Sequence, residues 1–284
     1  GFDHFYGSLS QRQDDEYYPA NVCENTFRVP LNNKVQDPNI KFPANLDSQD
    51  QENYKMYSQK DYSPDFMLDA ALRFLDSCKG KPFFLYYPSP LPHASMQAPV
   101  NLVAYYHKKF GEEKHFLGGS YVPYHCPRAT LAGMITLLDT QVGVFIKKLK
   151  EEGLYDNTII IFSSDNGSSN EGGADCEYFD SNGPFKNEFG WGKGFLYEGG
   201  IRMPLIVSWP GKIKPGINRH LITANWDFLP TACEILKIKS PKKIDGISYL
   251  PTLLGEGNKQ KKHDFLYWEF PQYGGQQAVR MGKW

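Results

Sequence analysis

The sequence lacks a surplus of charge of either sign, a long apolar run and any regular spacing of cysteines. Its 284 residues carry a formal net charge of -1, with 31 basic and 32 acidic side chains, so the composition does not predict a nucleic-acid-binding surface. No apolar run approaches the roughly 18 residues of a membrane-spanning helix, and we expect no membrane span. The five cysteines are scattered without Cys-x-x-Cys spacing, which argues against a zinc site and a dense disulfide scaffold and leaves the redox compartment open.

The most informative stretch that is present is residues 158–167, Thr-Ile-Ile-Ile-Phe-Ser-Ser-Asp-Asn-Gly. Its short β-branched run is typical of a strand buried on both faces, as in parallel sheets covered by helices. Such sheets bind ligands at the carboxyl ends of their strands, where Asp165 and Asn166 lie. Asn-Gly is also a common hairpin turn. However, residues 168–193 contain no returning strand and form a loop rich in Gly, Asn and Ser.

The segments before this strand follow a strand–helix–strand order. Apolar residues at three- and four-residue steps predict helices at about 63–79 and 127–152, and an aromatic, apolar run predicts a strand at 83–87. Because such crossovers are right-handed, the strands at 83–87 and 158–163 are expected to be parallel in one sheet. Three prolines after residue 87 stiffen the chain and hold His93 at the same edge as the Asp-Asn pair.

The remaining segments complete an α/β prediction with a mostly parallel sheet flanked by helices. A third strand is predicted at 205–209 and a helix at 226–236, while residues 265–281 read as an antiparallel hairpin. We therefore expect an α/β domain over residues 1–262 and the start of a small antiparallel subdomain over residues 263–284.

Eight segments follow one another in an order and at spacings that match a known family. They are residues 1–7 (Gly-Phe-Asp-His-Phe-Tyr-Gly), 81–86 (Lys-Pro-Phe-Phe-Leu-Tyr), 92–99 (with Pro-His-Ala and Gln-Ala-Pro), 164–167 (Ser-Asp-Asn-Gly), 192–204 (with Gly-Lys-Gly and Leu-Tyr-Glu-Gly-Gly-Ile-Arg-Met-Pro), 209–211 (Trp-Pro-Gly), 227–231 (Asp-Phe-Leu-Pro-Thr) and 245–248 (Asp-Gly-Ile-Ser). Together they make the chain similar to the type I sulfatases, which are arylsulfatase-like enzymes of the alkaline phosphatase superfamily.

This resemblance implies an alkaline-phosphatase-like fold and a role for four residues. Asp165 and Asn166 resemble the second half of the family's calcium site, and a carboxylate beside an amide suits a hard cation that takes six to eight oxygen ligands. Lys193 resembles the lysine that contacts the sulfate. His93 resembles the histidine at the scissile ester oxygen, where an imidazole can protonate the leaving alcohol.

The sequence departs from the family at the nucleophile. The family uses a formylglycine made from the first residue of Cys/Ser-x-Pro-x-Arg, and this motif does not occur in the chain. The nearest segment, Cys126-Pro127-Arg128, has the wrong spacing and precedes a predicted core helix, so we interpret it as structural. The missing motif normally precedes the Gly-Phe-Asp segment that opens this chain. We therefore expect a sulfatase sequence without its first third, holding half of the metal site.

The favoured hypothesis is hydrolysis of a sulfate monoester, with a sulfated sugar or polysaccharide as substrate and a periplasmic or extracellular location by family resemblance. One alternative is a phosphatase or phosphodiesterase of the same superfamily. Those two-metal enzymes generally place His after the Asp, whereas Asn166 favours one hard cation. Another alternative is a non-catalytic domain that binds sulfated glycans. The sequence leaves the oligomeric state open.

Overall fold

A computed structural model of the chain describes residues 1–10, 13 and 15–284. The chain forms two compact units, namely Gly1–Gly153 with Ser169–Ser181, and Leu154–Ser168 with Asn182–Trp284. The loop that follows Asn166 is therefore divided between the two units. The boundary expected after residue 262 stays a prediction.

The first unit combines a small antiparallel sheet with long helices. Its strands, in sheet order, are Tyr6–Gly7 (β1), Asn21–Glu24 (β2) and Phe27–Pro30 (β3). Its helices are Ser63–Ser77 (α1), Val100–Phe110 (α2), Pro127–Glu151 (α3) and the single turn Cys176–Phe179 (α4), with 3-10 turns at Gln51–Tyr57 and Glu171–Gly173. The helices predicted at 63–79 and 127–152 are confirmed.

A buried polar residue joins the long helices of this unit. Gln141, on α3, is 1% exposed; its side chain donates to the carbonyl oxygen of Pro64 on α1 at 3.4 Å and accepts from the hydroxyl of Tyr87 at 3.2 Å. Because both ends of the amide have partners, its burial carries no unpaired polar group. Beside it lies an aromatic and aliphatic core that comprises Tyr17, Tyr62, Leu91, Ala94, Met96, Tyr124 and Met134.

Helix α3 is long and apolar enough, by length and composition, to cross a membrane. Its amino-terminal half is buried at Ala129 and Met134, and the helix packs along α2 and α1. A helix in the core of a folded domain can have the same length and composition. The absence of a membrane span therefore stays a prediction.

The second unit contains two antiparallel strand pairs. Ile160–Ser163 (β4) pairs with Leu205–Ser208 (β5), with Ile160 opposite Ser208. Leu266–Phe270 (β6) and Gln276–Arg280 (β7) form the predicted hairpin, which is confirmed. The helices of this unit are Glu198–Ile201 (α5), Phe228–Ile235 (α6) and Leu250–Leu253 (α7), with 3-10 turns at Tyr155–Asn157, Asn225–Asp227 and Gly257–Lys259.

The parallel pairing expected for residues 83–87 and 158–163 is wrong for the part of the chain that the structure describes. Residues 83–87 form no strand, so the strand predicted there is wrong as well, and β4 pairs antiparallel with β5. Nor is β4 covered on both faces, because Ile161 is 36% exposed. An apolar run identifies a segment that favours a strand, whereas its neighbour in the sheet depends on contacts distant in sequence.

Candidate functional site

The Asp165–Asn166 pair lies directly beyond the end of β4, in a turn held by its own side chains. The backbone N–H of Asn166 donates to Oδ1 of Asp165 at 2.9 Å, and its side-chain Nδ2 donates to the carbonyl oxygen of Gly167 at 2.8 Å. Among the described residues, Oδ2 of Asp165 and Oδ1 of Asn166 therefore accept no hydrogen bond. A carboxylate oxygen and an amide oxygen without donors suit a hard cation, so this pair fits a calcium ion.

This turn is not a tight hairpin, because the strand that pairs with β4 begins only at Leu205. The turn packs instead against the glycine-rich segment 192–200. The N–H of Gly167 donates to the carbonyl oxygen of Gly200 at 2.9 Å, and a Cβ at Gly167 would lie 1.8 Å from the carbonyl oxygen of Gly199. Only glycine therefore allows these two backbones to approach so closely.

Lys193 belongs to the same backbone cluster. Its N–H donates to the carbonyl oxygen of Ser168 at 2.7 Å, and a Cβ on the preceding Gly192 would lie 2.4 Å from that oxygen. Two hydrogen-bonded backbone contacts thus join segment 165–168 to segment 192–200. The structure brings the predicted metal ligands and the predicted sulfate-binding lysine into one compact cluster of the second unit.

Asn182 supports this cluster, and sequence reasoning missed it. Its Oδ1 accepts from the Ser168 hydroxyl at 2.6 Å, while its Nδ2 donates to the carbonyl oxygen of Lys186 at 2.7 Å. The amide therefore anchors the residue after the Asp-Asn-Gly turn. Its position in a long Asn-rich loop gave no periodic signal by which the sequence could have identified it.

An aromatic pair stands next to Lys193 in sequence. The rings of Trp191 and Tyr197 lie 4.3 Å apart, and the ammonium of Lys186 lies 4.2 Å from the centre of the Trp191 ring. Tyr197 is 52% exposed. Flat aromatic faces flanked by cations can contact both the apolar face and the anionic substituents of a sulfated sugar.

His93 belongs to the first unit, where its backbone is fixed on both sides. Its N–H donates to the carbonyl oxygen of Pro90 at 2.9 Å, and its own carbonyl oxygen lies 2.8 Å from the hydroxyl of the buried Tyr17. Nδ1 of the ring contacts the carbonyl oxygen of Ala94. Because a carbonyl oxygen only accepts hydrogen bonds, Nδ1 carries a proton in this contact, and Nε2 is the other ring nitrogen at which an imidazole can exchange a proton.

Two acidic residues around His93 were not predicted, one beside its ring and one hydrogen-bonded to the tyrosine that packs against that ring. The carboxylate of Asp15 lies 3.8 Å from Nδ1 of His93. The ring of Tyr121 packs edge-on against His93 with centroids 6.0 Å apart, and its hydroxyl donates to Glu171 at 3.2 Å. A carboxylate on the Nδ1 side of the ring helps to fix the orientation of the imidazole. Asp15 lies in a polar run without periodicity, so no sequence signal pointed to it.

Comparisons with known proteins agree with this geometry. The sequence matches the protein-family model described as Sulfatase over residues 1–238. Arylsulfatase A from Bos taurus is 30% identical over 225 residues, which cover 78% of this chain and 38% of that protein. N-acetylgalactosamine-6-sulfatase from Mus musculus is 28% identical over 290 residues, which cover 94% of this chain and 45% of that protein. The chain therefore spans less than half the length of these two relatives.

Solved structures share the fold. The crystal structure of Ps i-CgsB in complex with k-i-k-neocarrahexaose has a TM-score of 0.70 and 24% identity, covering 99% of this chain and 56% of that one. The structure of BT4656 in complex with its substrate D-glucosamine-2-N,6-O-disulfate has a TM-score of 0.68 and 20% identity, covering 99% and 65%. The predicted alkaline-phosphatase-like α/β fold is confirmed.

Proposed function

We propose that the protein hydrolyses sulfate monoesters of sugars, because this chain belongs to the sulfatase family. The observation that carries this proposal is the glycine-packed cluster of the second unit, which holds a carboxylate–amide pair and a lysine on adjoining segments. Such a cluster combines a cation site with a positively charged side chain, and both favour binding of the anionic sulfate group of an ester.

Membership of the sulfatase family implies a bound metal ion and a formylglycine residue. We propose Asp165 and Asn166 as ligands of one Ca²⁺, because both present an oxygen that accepts no hydrogen bond from described residues. When bound, the ion would neutralise negative charge on sulfate oxygens. We assign the formylglycine to a residue outside this sequence, since no Cys/Ser-x-Pro-x-Arg motif occurs in it.

Within this chain, Lys193 and His93 carry the proposed chemistry. Lys193 pairs its ammonium with a sulfate oxygen and stabilises charge that grows as the ester bond breaks. His93 donates the Nε2 proton to the leaving alcohol oxygen, while Nδ1–H stays on the carbonyl oxygen of Ala94. Asp15, whose carboxylate lies 3.8 Å from Nδ1, helps to hold the ring in this orientation.

A sulfated glycan is the proposed substrate class. The two solved relatives are described with a neocarrahexaose and with a glucosamine disulfate. In this chain the aromatic pair of Trp191 and Tyr197, with Lys186 over the Trp191 ring, supports binding of a charged sugar next to Lys193. From membership of the sulfatase family we also propose a periplasmic or extracellular location.

The test is sulfate release by the full-length protein from a panel of sulfated mono- and oligosaccharides, with the matching phosphate esters assayed in parallel. We expect Lys193→Ala to lower kcat/KM by about 10²- to 10³-fold and His93→Ala to lower kcat by about 10²- to 10⁴-fold. The exposed Lys212 and His220, each replaced by Ala, serve as matched controls that should keep wild-type rates.

The alternatives predict different results in the same assay. Phosphate release that exceeds sulfate release, together with two bound zinc or manganese ions, would replace the sulfatase assignment with a phosphatase or phosphodiesterase. Tight glycan binding without any ester hydrolysis would favour a binding domain. Wild-type rates in both the Lys193 and the His93 variants would remove these residues from the site.

A further inference from the structure

A second group of metal-binding side chains lies in the first unit and has no part in the proposed sulfatase chemistry. His107, Glu113 and Cys126 each present one ligand atom, and these atoms all lie within 4.8 Å of one another. Sγ of Cys126 lies 3.3 Å from Nδ1 of His107 and 3.0 Å from Nδ1 of His125. We call these four residues the His–Cys–Glu cluster.

The ends of two packed helices fix the cluster. His107 lies in the last turn of α2, and Cys126 immediately precedes α3. Glu113, in the connection between them, accepts the N–H of Ala129 with Oε1 at 3.1 Å and the N–H of Arg128 with Oε2. These bonds from the first turn of α3 anchor the carboxylate and leave each oxygen a second lone pair.

Hydrogen bonding favours the ring forms of the histidines that can bind a metal. Nε2 of His125 lies 3.1 Å from the carbonyl oxygen of Gln49, so it carries the proton and Nδ1 turns a lone pair towards the sulfur. On His107, Nε2 faces the carboxylate of Glu112 at 3.9 Å, which leaves Nδ1 as the atom that points to Cys126. Two imidazole lone pairs thus converge on one sulfur.

A divalent ion suits the charge of this donor set. Zinc displaces the proton of a coordinating thiol, and the thiolate and carboxylate that result carry two negative charges, which the ion compensates.

We propose that His107, Glu113, Cys126 and His125 bind a zinc ion. Their donor set of two nitrogens, one sulfur and one oxygen is the kind that tetrahedral zinc takes, and ideal bond lengths place its sulfur and nitrogen ligands about 3.5 Å apart. The observed sulfur–nitrogen distances of 3.3 and 3.0 Å are close to this value. The site is structural, because four protein ligands leave no position for a substrate, and it ties the end of α2 to the start of α3.

This site differs chemically from the calcium site of the second unit. A thiolate and imidazoles favour a borderline or soft ion, whereas a carboxylate and an amide oxygen favour a hard one. The proposal is therefore independent of the proposed function, and each can fail alone. The sequence argued against a zinc site because it lacks Cys-x-x-Cys spacing. The ligands proposed here follow no such spacing, because they are spread from residue 107 to residue 126.

The test is titration of the full-length, calcium-loaded protein with Co²⁺, followed by competition with Zn²⁺. We expect one equivalent of cobalt to produce the near-ultraviolet absorption of a thiolate-to-cobalt bond, which zinc then abolishes. Oxygen ligands at the calcium site cannot produce this band. Cys126→Ser should remove it, whereas Cys78→Ser, which changes another buried cysteine of the same unit, should leave it unchanged.

Cys126 is 2% exposed, so its variant could fail to fold. His107→Gln, at a partly exposed position, provides the second test, with circular dichroism of both variants as the check on folding. We expect it to weaken cobalt binding beyond the roughly 10- to 100-fold that loss of an outer-shell partner causes. A wild-type protein without the thiolate band, or a folded Cys126→Ser variant that binds cobalt like the wild type, would show that the cluster is only a hydrogen-bond network.

Discussion

At the scale of single residues, the close backbone packing of the candidate site requires a glycine at position 167. A Cβ on Gly167 would lie 1.8 Å from the carbonyl oxygen of Gly199, which is rigid backbone. Gly167→Ala must therefore separate segments 165–168 and 192–200, and we expect it to lower the free energy of unfolding by about 2–3 kcal/mol and to abolish calcium binding.

Urea denaturation and calorimetric calcium titration of the full-length protein measure both effects. Gly257→Ala is the matched control, because Gly257 lies in the same unit, has no positive φ and has nothing within 4 Å of an added Cβ. It should change stability by less than about 0.5 kcal/mol. A Gly167→Ala protein with wild-type calcium affinity would show that the two segments do not need to be in contact.

Glu16 gives a pH dependence that can be measured separately from the site. Burial raises its pKa from 4.5 to about 7 in the folded chain, with Asp37 and Asp15 adding to the effect and a backbone hydrogen bond from Gln36 opposing it. The unfolded chain loses this proton at a lower pH than the folded chain does. The contribution of Glu16 to the free energy of unfolding is therefore fully present below pH 4.5 and is lost as the pH rises to about 7.

Glu16 is only half-buried, so solvent screening reduces the effect of this pKa shift on stability. We expect the carboxyl to contribute a loss of on the order of 1 kcal/mol between pH 5 and pH 8, and Glu16→Gln to remove it. Chemical denaturation at both pH values measures the difference between wild type and variant, and Glu151→Gln at an exposed position is the control. Parallel pH profiles for wild type and Glu16→Gln would contradict the assignment.

The candidate-site residues that the sequence could indicate are those that follow a recognisable local pattern. Asp165 and Asn166 end an apolar strand, and Lys193 lies between glycines, so pattern and family resemblance both pointed to them. Asp15 and Asn182 contact His93 and Ser168, which are distant from them in sequence, and no local pattern predicts such contacts.

At the scale of elements, one buried carboxylate joins two of the segments that identified the family. Asp227 is 1% exposed; its Oδ1 accepts the N–H of Ile247 at 2.8 Å and its Oδ2 accepts the N–H of Ala224 at 2.9 Å. The ring of His263 lies 2.8 Å away as a third partner. The carboxylate thus ties the start of α6 to segment 245–248 and to the strand that follows residue 263.

We expect Asp227→Ala to lower the free energy of unfolding by about 3–5 kcal/mol, because it leaves two N–H groups and an imidazole without their acceptor. Thermal and urea unfolding of the full-length protein measure this loss. Asp264→Ala, at an exposed position next to His263, should cost less than about 0.5 kcal/mol. Similar losses in the two variants would mean that Asp227 does not organise these segments.

Helices were predicted more accurately than sheets for a physical reason. The pattern that forms α1 and α3 repeats within three or four residues, so it can be read locally. A strand needs a partner, and β4 finds its partner at Leu205–Ser208, beyond a long loop that carries much of the site. The sequence indicated both strands but could not indicate their antiparallel pairing.

At the scale of the whole molecule, the two proposed metal sites lie in different compact units. The calcium ligands and Lys193 belong to Leu154–Ser168 and Asn182–Trp284, and the His–Cys–Glu cluster belongs to Gly1–Gly153. A ligand that binds only the folded state stabilises it by about 2.7 kcal/mol at a concentration 100 times its Kd. Removing each ion should therefore loosen the unit that holds it.

Hydrogen–deuterium exchange of the full-length protein can resolve these effects by segment. We expect a calcium-selective chelator to raise exchange in residues 165–168 and 192–200, and a zinc-selective chelator to raise it in residues 107–126, because backbone N–H groups in each set are held next to the ligands of one ion. Residues 276–280 of the β7 strand serve as an internal reference for both treatments. If calcium removal instead raised exchange at residues 107–126 while leaving 165–168 protected, the ligands assigned to calcium would be wrong. If the zinc chelator changed neither set, the helix ends around Cys126 would hold together without an ion, and hydrogen bonds alone would account for the cluster.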